Sequence, residues 1–183
     1  MNTANKITLI RIAMIPVFLF FFLTDIVPFS SYIALLIFIV AAATDGIDGH
    51  IARKYNQITD FGKFIDPLAD KILVVSALIG MVYFRQISPV GVIIIIAREF
   101  IVTGLRIVAI SSGKVIAAAF SGKLKTVTQI VVVVYIMLFA PIWDNFAFLK
   151  IISYIGEWAM VAITVYSGAE YMVKNKHLID YRK

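Results

Sequence analysis

The chain has 183 residues, of which 61% are hydrophobic and only 15% are charged, and its mean hydropathy is +0.95. Because soluble domains are about half apolar and a quarter charged, this composition predicts an integral membrane protein whose partner is the lipid bilayer. The absence of cysteine excludes disulfides, thiolate zinc sites and cysteine nucleophiles. The net charge of +6 includes no basic run interleaved with aromatic residues, so no nucleic-acid partner is predicted.

Six apolar runs are each close to the length of about 20 residues that a helix needs to cross a bilayer. Lipid permits only helices and closed barrels as spanning structures, and runs of this length favour helices. We therefore predict an all-α integral membrane bundle of six transmembrane helices that forms a single domain over residues 1–183. The predicted helices are 7–23, 31–52, 62–84, 89–110, 126–143 and 148–173.

Lysine and arginine are concentrated in alternate connections between these helices. The N-terminal end, the second-to-third and fourth-to-fifth connections and the tail hold most of them, whereas the opposite set holds only Arg85 and Lys150. Short cytoplasmic loops are enriched in these residues. The pattern predicts a multi-pass protein of the cell membrane with both termini in the cytoplasm and the second-to-third connection on the same side.

Four of the eleven acidic residues lie in the helix ends that flank that connection: Asp45, Asp48, Asp66 and Asp70. Helical geometry places Asp45 and Asp48 on one face of the second helix, and Asp66 and Asp70 on one stripe of the third. If the two helices face each other, the four carboxylates converge on one cavity. Each aspartate near a helix centre costs about 2.5 to 3.5 kcal/mol on insertion, so something must offset the cost. An all-oxygen cluster suits Mg²⁺, Mn²⁺ or Ca²⁺, with room for two ions.

Small residues accompany the carboxylates, namely Gly46, Gly49, Ala52 and Gly62. They either allow close packing of helices or leave space for a flat group beside the metals. Arg53 has the planar fork that binds phosphate, although a positive anchor on the cytoplasmic side is the alternative.

Eight residues at fixed spacing resemble, without departure, the signature of the CDP-alcohol phosphotransferases: Asp45-x-x-Asp48-Gly49-x-x-Ala52-Arg53-x8-Gly62-x-x-x-Asp66-x-x-x-Asp70. The resemblance implies six transmembrane helices, a homodimer, and transfer of a phosphatidyl group from CDP-diacylglycerol to an alcohol with release of CMP. It implies two Mg²⁺ or Mn²⁺ ions held by all four aspartates, with Asp70 also acting as the base. It further implies that the CDP donor is bound by Gly49, Ala52, Arg53 and Gly62, in a site open to the cytoplasmic side.

The alcohol must be selected by other residues. Arg98 lies about mid-span in the fourth helix, where a buried arginine needs a partner or a function. Arg106 lies on the same stripe and, with Lys123 and Lys125, predicts a cationic pocket for an acceptor that carries its own phosphate. The alternative is that the two lysines are only loop charges. Glu99 is turned about 100° from Arg98 on the helix, so the two are not expected to pair.

Residues 98–106 and 122–129, with residues 5–11 and Pro16, are similar to the bacterial phosphatidylglycerophosphate synthases. This resemblance implies sn-glycerol 3-phosphate as the acceptor. Two alternatives stay open: the same chemistry with another acceptor such as inositol phosphate, and a divalent-cation transporter, since transporters also bind ions with acidic residues inside a bundle. Lys71 is expected to point away from the site, and no role is predicted for Glu157 or Glu170.

Overall fold

The computed structural model of the chain describes residues 3–54, 60–111 and 120–176, with the backbone alone at residues 3–4, 45–54, 60–64, 66–67 and 110–111. Six long helices follow one another: α1 (Thr3–Leu23), α2 (Ser30–Lys54), α3 (Asp60–Tyr83), α4 (Pro89–Ser111), α5 (Phe120–Phe139) and α6 (Ala147–Lys174). A short 3-10 helix, Ala140–Ile142, continues α5, and the described residues contain no strand. The predicted all-α class is therefore confirmed.

The helix bounds agree with the predicted ones to within a few residues, except at the start of α5. The predicted helix began at residue 126, where the strongly apolar run starts, whereas α5 begins at Phe120. Its first turns carry polar side chains, and Ser121 and Lys125 among them are buried. A search for apolar runs misses such a segment, because a hydropathy scale scores these side chains as polar and cannot show that they are buried. Because α5 begins at Phe120, Lys123 and Lys125 lie in a helix and not in a loop.

Three of the described helices are long and apolar enough to cross a membrane, judged by length and composition: Asn5–Leu23, Phe120–Ile142 and Ala147–Lys174. In the most apolar window of each, only 28% to 33% of the residues are buried inside the protein. Most of their side chains are therefore at least partly exposed, which is unfavourable in water and favourable in lipid for apolar groups. A shorter apolar run, Ser30–Thr44, lies in α2. These helices fit a membrane protein.

The main hydrophobic core takes buried side chains from all six long helices, and α1 packs in it against α2 and α3. At its centre Phe18 is fully buried, and its ring lies 5.3 Å from that of Phe22 and 5.8 Å from that of Phe38. A second, smaller cluster joins α4 to α6 and consists of Val102, Leu105 and Tyr171. The two clusters fix α3 and α4, which carry most of the charged side chains of the candidate site.

A buried polar face of α1 reaches the segment that precedes Asp45. Asn5, Thr8 and Arg11 on this face are all buried, the last two completely. Nε of Arg11 donates a hydrogen bond to Oγ1 of Thr44 at 3.1 Å. This bond ties α1 to α2 immediately before the first of the predicted metal ligands.

The two acidic residues of α6 that the sequence leaves without a role have structural partners. Glu157 is buried, and its carboxylate accepts a hydrogen bond from the backbone N–H of Ser88 at 2.8 Å, just before α4 begins. Glu170 lies 2.5 Å from Nζ of Lys174, one turn further along α6. The first contact anchors α6 to α4, and the second supports the end of α6 itself.

Gly80→Ala is expected to destabilise the packing of α3 on α1. A Cβ atom at this position would lie 2.5 Å from Cε1 and 2.8 Å from Cδ1 of Phe22, whose ring is buried. Overpacking of this kind costs roughly 1 to 3 kcal/mol, which exceeds the gain of about 1 kcal/mol from replacing glycine in a helix. The melting temperature of the purified protein in detergent measures the effect.

Gly156→Ala in α6 is the matched control. A Cβ atom there would meet only Val132, at an ordinary contact distance of 3.5 Å. The substitution should leave the melting temperature unchanged or raise it. Equal melting temperatures for the two variants would contradict the close approach of Phe22 to Gly80.

Candidate functional site

A cavity of about 440 Å³ lies between α3, α4, α5 and α6. Its described lining includes five cationic side chains and two carboxylates: Lys71, Arg98, Arg106, Lys123, Lys125, Asp70 and Glu99. Apolar side chains complete much of the wall, which reduces the screening of these charges by water. The cavity therefore favours a small anionic ligand.

The four cations predicted to bind an acceptor phosphate all line this cavity. Arg98 and Arg106 come from α4, and Lys123 and Lys125 from the first turns of α5. Lys125 is only 6% exposed, so the alternative that it is a solvated loop charge is wrong. Asp70 lines the same cavity from α3. Packing of the helices thus brings Asp70, the predicted base, next to cations that are distant from it in the sequence.

Glu99 links the cations of α4 to those of α5. Its Oε1 accepts hydrogen bonds from Nη1 of Arg98 at 3.1 Å and from Nζ of Lys125 at 2.5 Å. The expectation that Arg98 and Glu99 do not pair is therefore wrong. The angle of 100° separates their Cα atoms, and the long side chains of both residues reach around the helix. Each of the three side chains is only 8% to 13% exposed, so these ion pairs are shielded from water.

Lys71 lines the cavity as well, so the expectation that it points away from the site is wrong. Its Nζ donates a hydrogen bond to Oγ1 of Thr103 on α4, and this hydroxyl donates to the carbonyl of Glu99 at 2.7 Å. The flexible stem of lysine permits this reach, which the position of its Cα atom does not indicate. Lys71 is therefore a fifth cation in the cavity and joins α3 to α4.

Both arginines find partners on α6. Nη2 of Arg98 donates a hydrogen bond to Oγ of Ser167 at 2.8 Å. Nε of Arg106 donates to Oη of Tyr171 at 3.2 Å, and its guanidinium carbon lies 5.6 Å from the centre of the tyrosine ring. No motif indicates these two α6 residues. The signal that would find them is a pair of polar side chains four residues apart near the end of an apolar helix.

Three of the four predicted metal ligands lie where only the backbone is described. Asp45 and Asp48 are in α2 and Asp66 is in α3, which are continuous helices in contact with each other, as the sequence predicts. The predicted donor-binding positions are likewise outside the described side chains, namely Gly49, Ala52, Arg53 and Gly62. Among the side chains that are described, no group of three or more His, Cys, Asp or Glu residues is arranged to hold a metal. The metal site thus stays a prediction.

Comparison with known proteins places the chain in a family. Residues 1–166 match the CDP-alcohol phosphatidyltransferase family, and the chain belongs to it. It is 43% identical to the CDP-diacylglycerol–glycerol-3-phosphate 3-phosphatidyltransferase of Bacillus subtilis (strain 168), over an alignment 189 positions long, gaps included, that covers 95% of each protein. It is 34% identical to the proteins of the same name in Escherichia coli (strain K12) and Rickettsia bellii (strain RML369-C), over 93% of each protein. The family resemblance carried by the aspartate signature is confirmed.

Proposed function

We propose that this protein transfers the phosphatidyl group of CDP-diacylglycerol to sn-glycerol 3-phosphate, giving phosphatidylglycerol phosphate and CMP. The observation that carries the proposal is the cavity in which Asp70 and five cations face one volume. An acceptor with its own phosphate requires such a group of cations, whereas serine would leave most of them without a ligand. The names of the relatives specify the same donor and the same acceptor.

In the proposed reaction, two arginines and two lysines bind the acceptor phosphate, and Asp70 accepts the proton of the attacking hydroxyl. These cations are Arg98, Arg106, Lys123 and Lys125. The hydroxyl oxygen forms a bond to the phosphorus of the phosphatidyl group, and the bond from that phosphorus to CMP breaks. Fixing the phosphate in the cavity orients the hydroxyl toward Asp70, so that binding of the acceptor contributes to the rate.

The chain offers an all-oxygen donor set for the divalent metals that the family resemblance implies. Asp45 and Asp48 on α2 and Asp66 and Asp70 on α3 would hold two Mg²⁺ or Mn²⁺ ions. The fit is supported by the contact between these two helices and by the position of Asp70 on the cavity. When bound, the ions supply positive charge against the diphosphate of the donor. The CDP part of the donor would lie along Gly49, Ala52, Arg53 and Gly62.

The number of membrane crossings and their orientation are also part of the proposal. The protein would cross the cell membrane six times as a single domain, with both termini and the opening of the site on the cytoplasmic side. The uneven distribution of lysine and arginine between alternate connections supports this orientation. The family resemblance supports a homodimer.

A panel of acceptors tests the proposed function. The purified protein is supplied with CDP-diacylglycerol and Mg²⁺, and CMP release is measured with glycerol 3-phosphate, glycerol, inositol phosphate or serine. Glycerol 3-phosphate should be preferred over glycerol by at least about a hundredfold, because only the phosphorylated alcohol pairs with the cations. A preference for inositol phosphate would retain the chemistry and reject the acceptor. Equal rates with glycerol would reject a phosphate-binding role for the cavity.

Arg98→Gln is expected to raise the KM for glycerol 3-phosphate by roughly thirtyfold or more and to leave the KM for CDP-diacylglycerol unchanged. Loss of the arginine from a buried pair between an arginine and a phosphate costs about 2 kcal/mol or more. The loss falls on binding of the acceptor, because Arg98 lines the cavity proposed for the acceptor phosphate. Arg85→Gln is the control, since Arg85 is exposed in the connection between α3 and α4 and does not line the cavity. An unchanged acceptor KM in Arg98→Gln would exclude this arginine from the phosphate site.

A further inference from the structure

The two arginines of the cavity lie on α4, and both donate hydrogen bonds to side chains of α6. The guanidinium of Arg98 bonds Ser167, and that of Arg106 bonds Tyr171, one helical turn further along α6. An arginine side chain has many rotamers, and a ligand that must order them loses affinity. A partner that fixes the guanidinium in advance removes this loss.

The side chain of Arg98 also lies close to the backbone of α6 at Gly168. A Cβ atom at Gly168 would lie 2.9 Å from Cγ and 3.7 Å from Nε of Arg98. The stem of the arginine therefore lies directly against the backbone of α6, and only glycine leaves it this space. Any larger residue at position 168 must push the arginine toward the cavity or α6 away from α4.

The donor nitrogens of Arg98 are only partly satisfied by the protein. Nη1 is bonded to Glu99 and Nη2 to Ser167, whereas Nε is buried and has no hydrogen-bond partner among the described residues. An unsatisfied buried donor is unfavourable, so Nε is a group that gains from an added acceptor.

We propose that Ser167, Gly168 and Tyr171 form a seat on α6 that positions Arg98 and Arg106 to receive the acceptor phosphate. The seat rests on the proposed function and adds α6 to the elements that determine acceptor affinity. Its members are positioning residues, since they act through the arginines. Tyr171 contributes both its hydroxyl and its ring face, over which the Arg106 guanidinium lies.

The KM values of single variants for the two substrates test whether the seat positions the arginines. Gly168→Ala and Ser167→Ala are each expected to raise the KM for glycerol 3-phosphate by roughly tenfold, since each disturbs a contact to a charged group, with the KM for CDP-diacylglycerol unchanged. Gly156→Ala, on the same helix but in contact with Val132 only, is the matched control and should have the wild-type KM for both substrates. A wild-type acceptor KM in both seat variants would overturn the proposal. If Gly168→Ala does not yield folded protein, Ser167→Ala decides.

A double-mutant cycle separates positioning from general damage to α6. Because Ser167 acts through Arg98, adding Ser167→Ala to Arg98→Gln should change the acceptor KM by no more than about twofold. Tyr171→Phe should likewise add little to Arg106→Gln. A full tenfold effect of Ser167→Ala in the Arg98→Gln background would reject the seat. Absence of CMP release dependent on glycerol 3-phosphate in the wild-type protein would instead reject the proposed function, so the two failures are distinguishable.

Discussion

Asp70→Asn is expected to lower kcat by about 10²- to 10⁴-fold, the usual contribution of a general base. Asparagine has nearly the same shape as aspartate and cannot take up the proton of the acceptor hydroxyl. Because the cations of the cavity, and not Asp70, bind the acceptor phosphate in the proposed reaction, the variant should still bind the acceptor, and its KM for glycerol 3-phosphate should change little. Steady-state CMP release with each substrate varied in turn measures both quantities.

Asp25→Asn is the matched control for this substitution. Asp25 is exposed in the connection between α1 and α2, so the same change of charge there should leave kcat unaltered. A kcat of Asp70→Asn within about threefold of the wild type would be too small a loss for a general base. Such a result would show that another group accepts the proton.

Asp66→Ala is expected to abolish turnover, with a loss of roughly a thousandfold or more, because the positive charge that stabilises the diphosphate is lost with the metal ligand. Binding of Mn²⁺ to the purified protein, followed by electron paramagnetic resonance, should fall below the wild-type stoichiometry. This second readout reports on the metal site separately from the rate.

Asp144→Ala controls for the removal of a carboxylate, since Asp144 is exposed in the turn after α5 and lies off the cavity. It should retain both activity and Mn²⁺ stoichiometry. Wild-type turnover of Asp66→Ala at saturating Mg²⁺ would mean that Asp66 is not a metal ligand.

The helices could be predicted from the sequence because their main signal is local. Runs of about 20 apolar residues identify a helix whatever lies beside it, and all six long helices are found close to their predicted bounds. The start of α5 is the exception, since its polar first turns include Lys125, whose burial depends on Glu99 of α4. A local pattern carries no information about such a partner.

The site was predictable to the extent that a motif or a helical register specifies it. Arg98 and Arg106 share a stripe of α4, and that register alone places them on one cavity. The pairing of Glu99 with Arg98 and the reach of Lys71 depend on side-chain conformation, which Cα angles do not determine. The contribution of Ser167 depends on which helix packs against α4, and sequence order does not indicate that it is α6.

The most direct measurement is CMP release from CDP-diacylglycerol by the purified protein with Mg²⁺, in the presence and absence of sn-glycerol 3-phosphate. Mass spectrometry of the lipid product accompanies the measurement. We expect CMP and phosphatidylglycerol phosphate in equal amounts, and only when the donor and the acceptor are both present. CMP release that is independent of the acceptor, or a lipid product without the second phosphate, would contradict the proposed function. Divalent-cation flux in liposomes without CMP release would indicate a transporter instead.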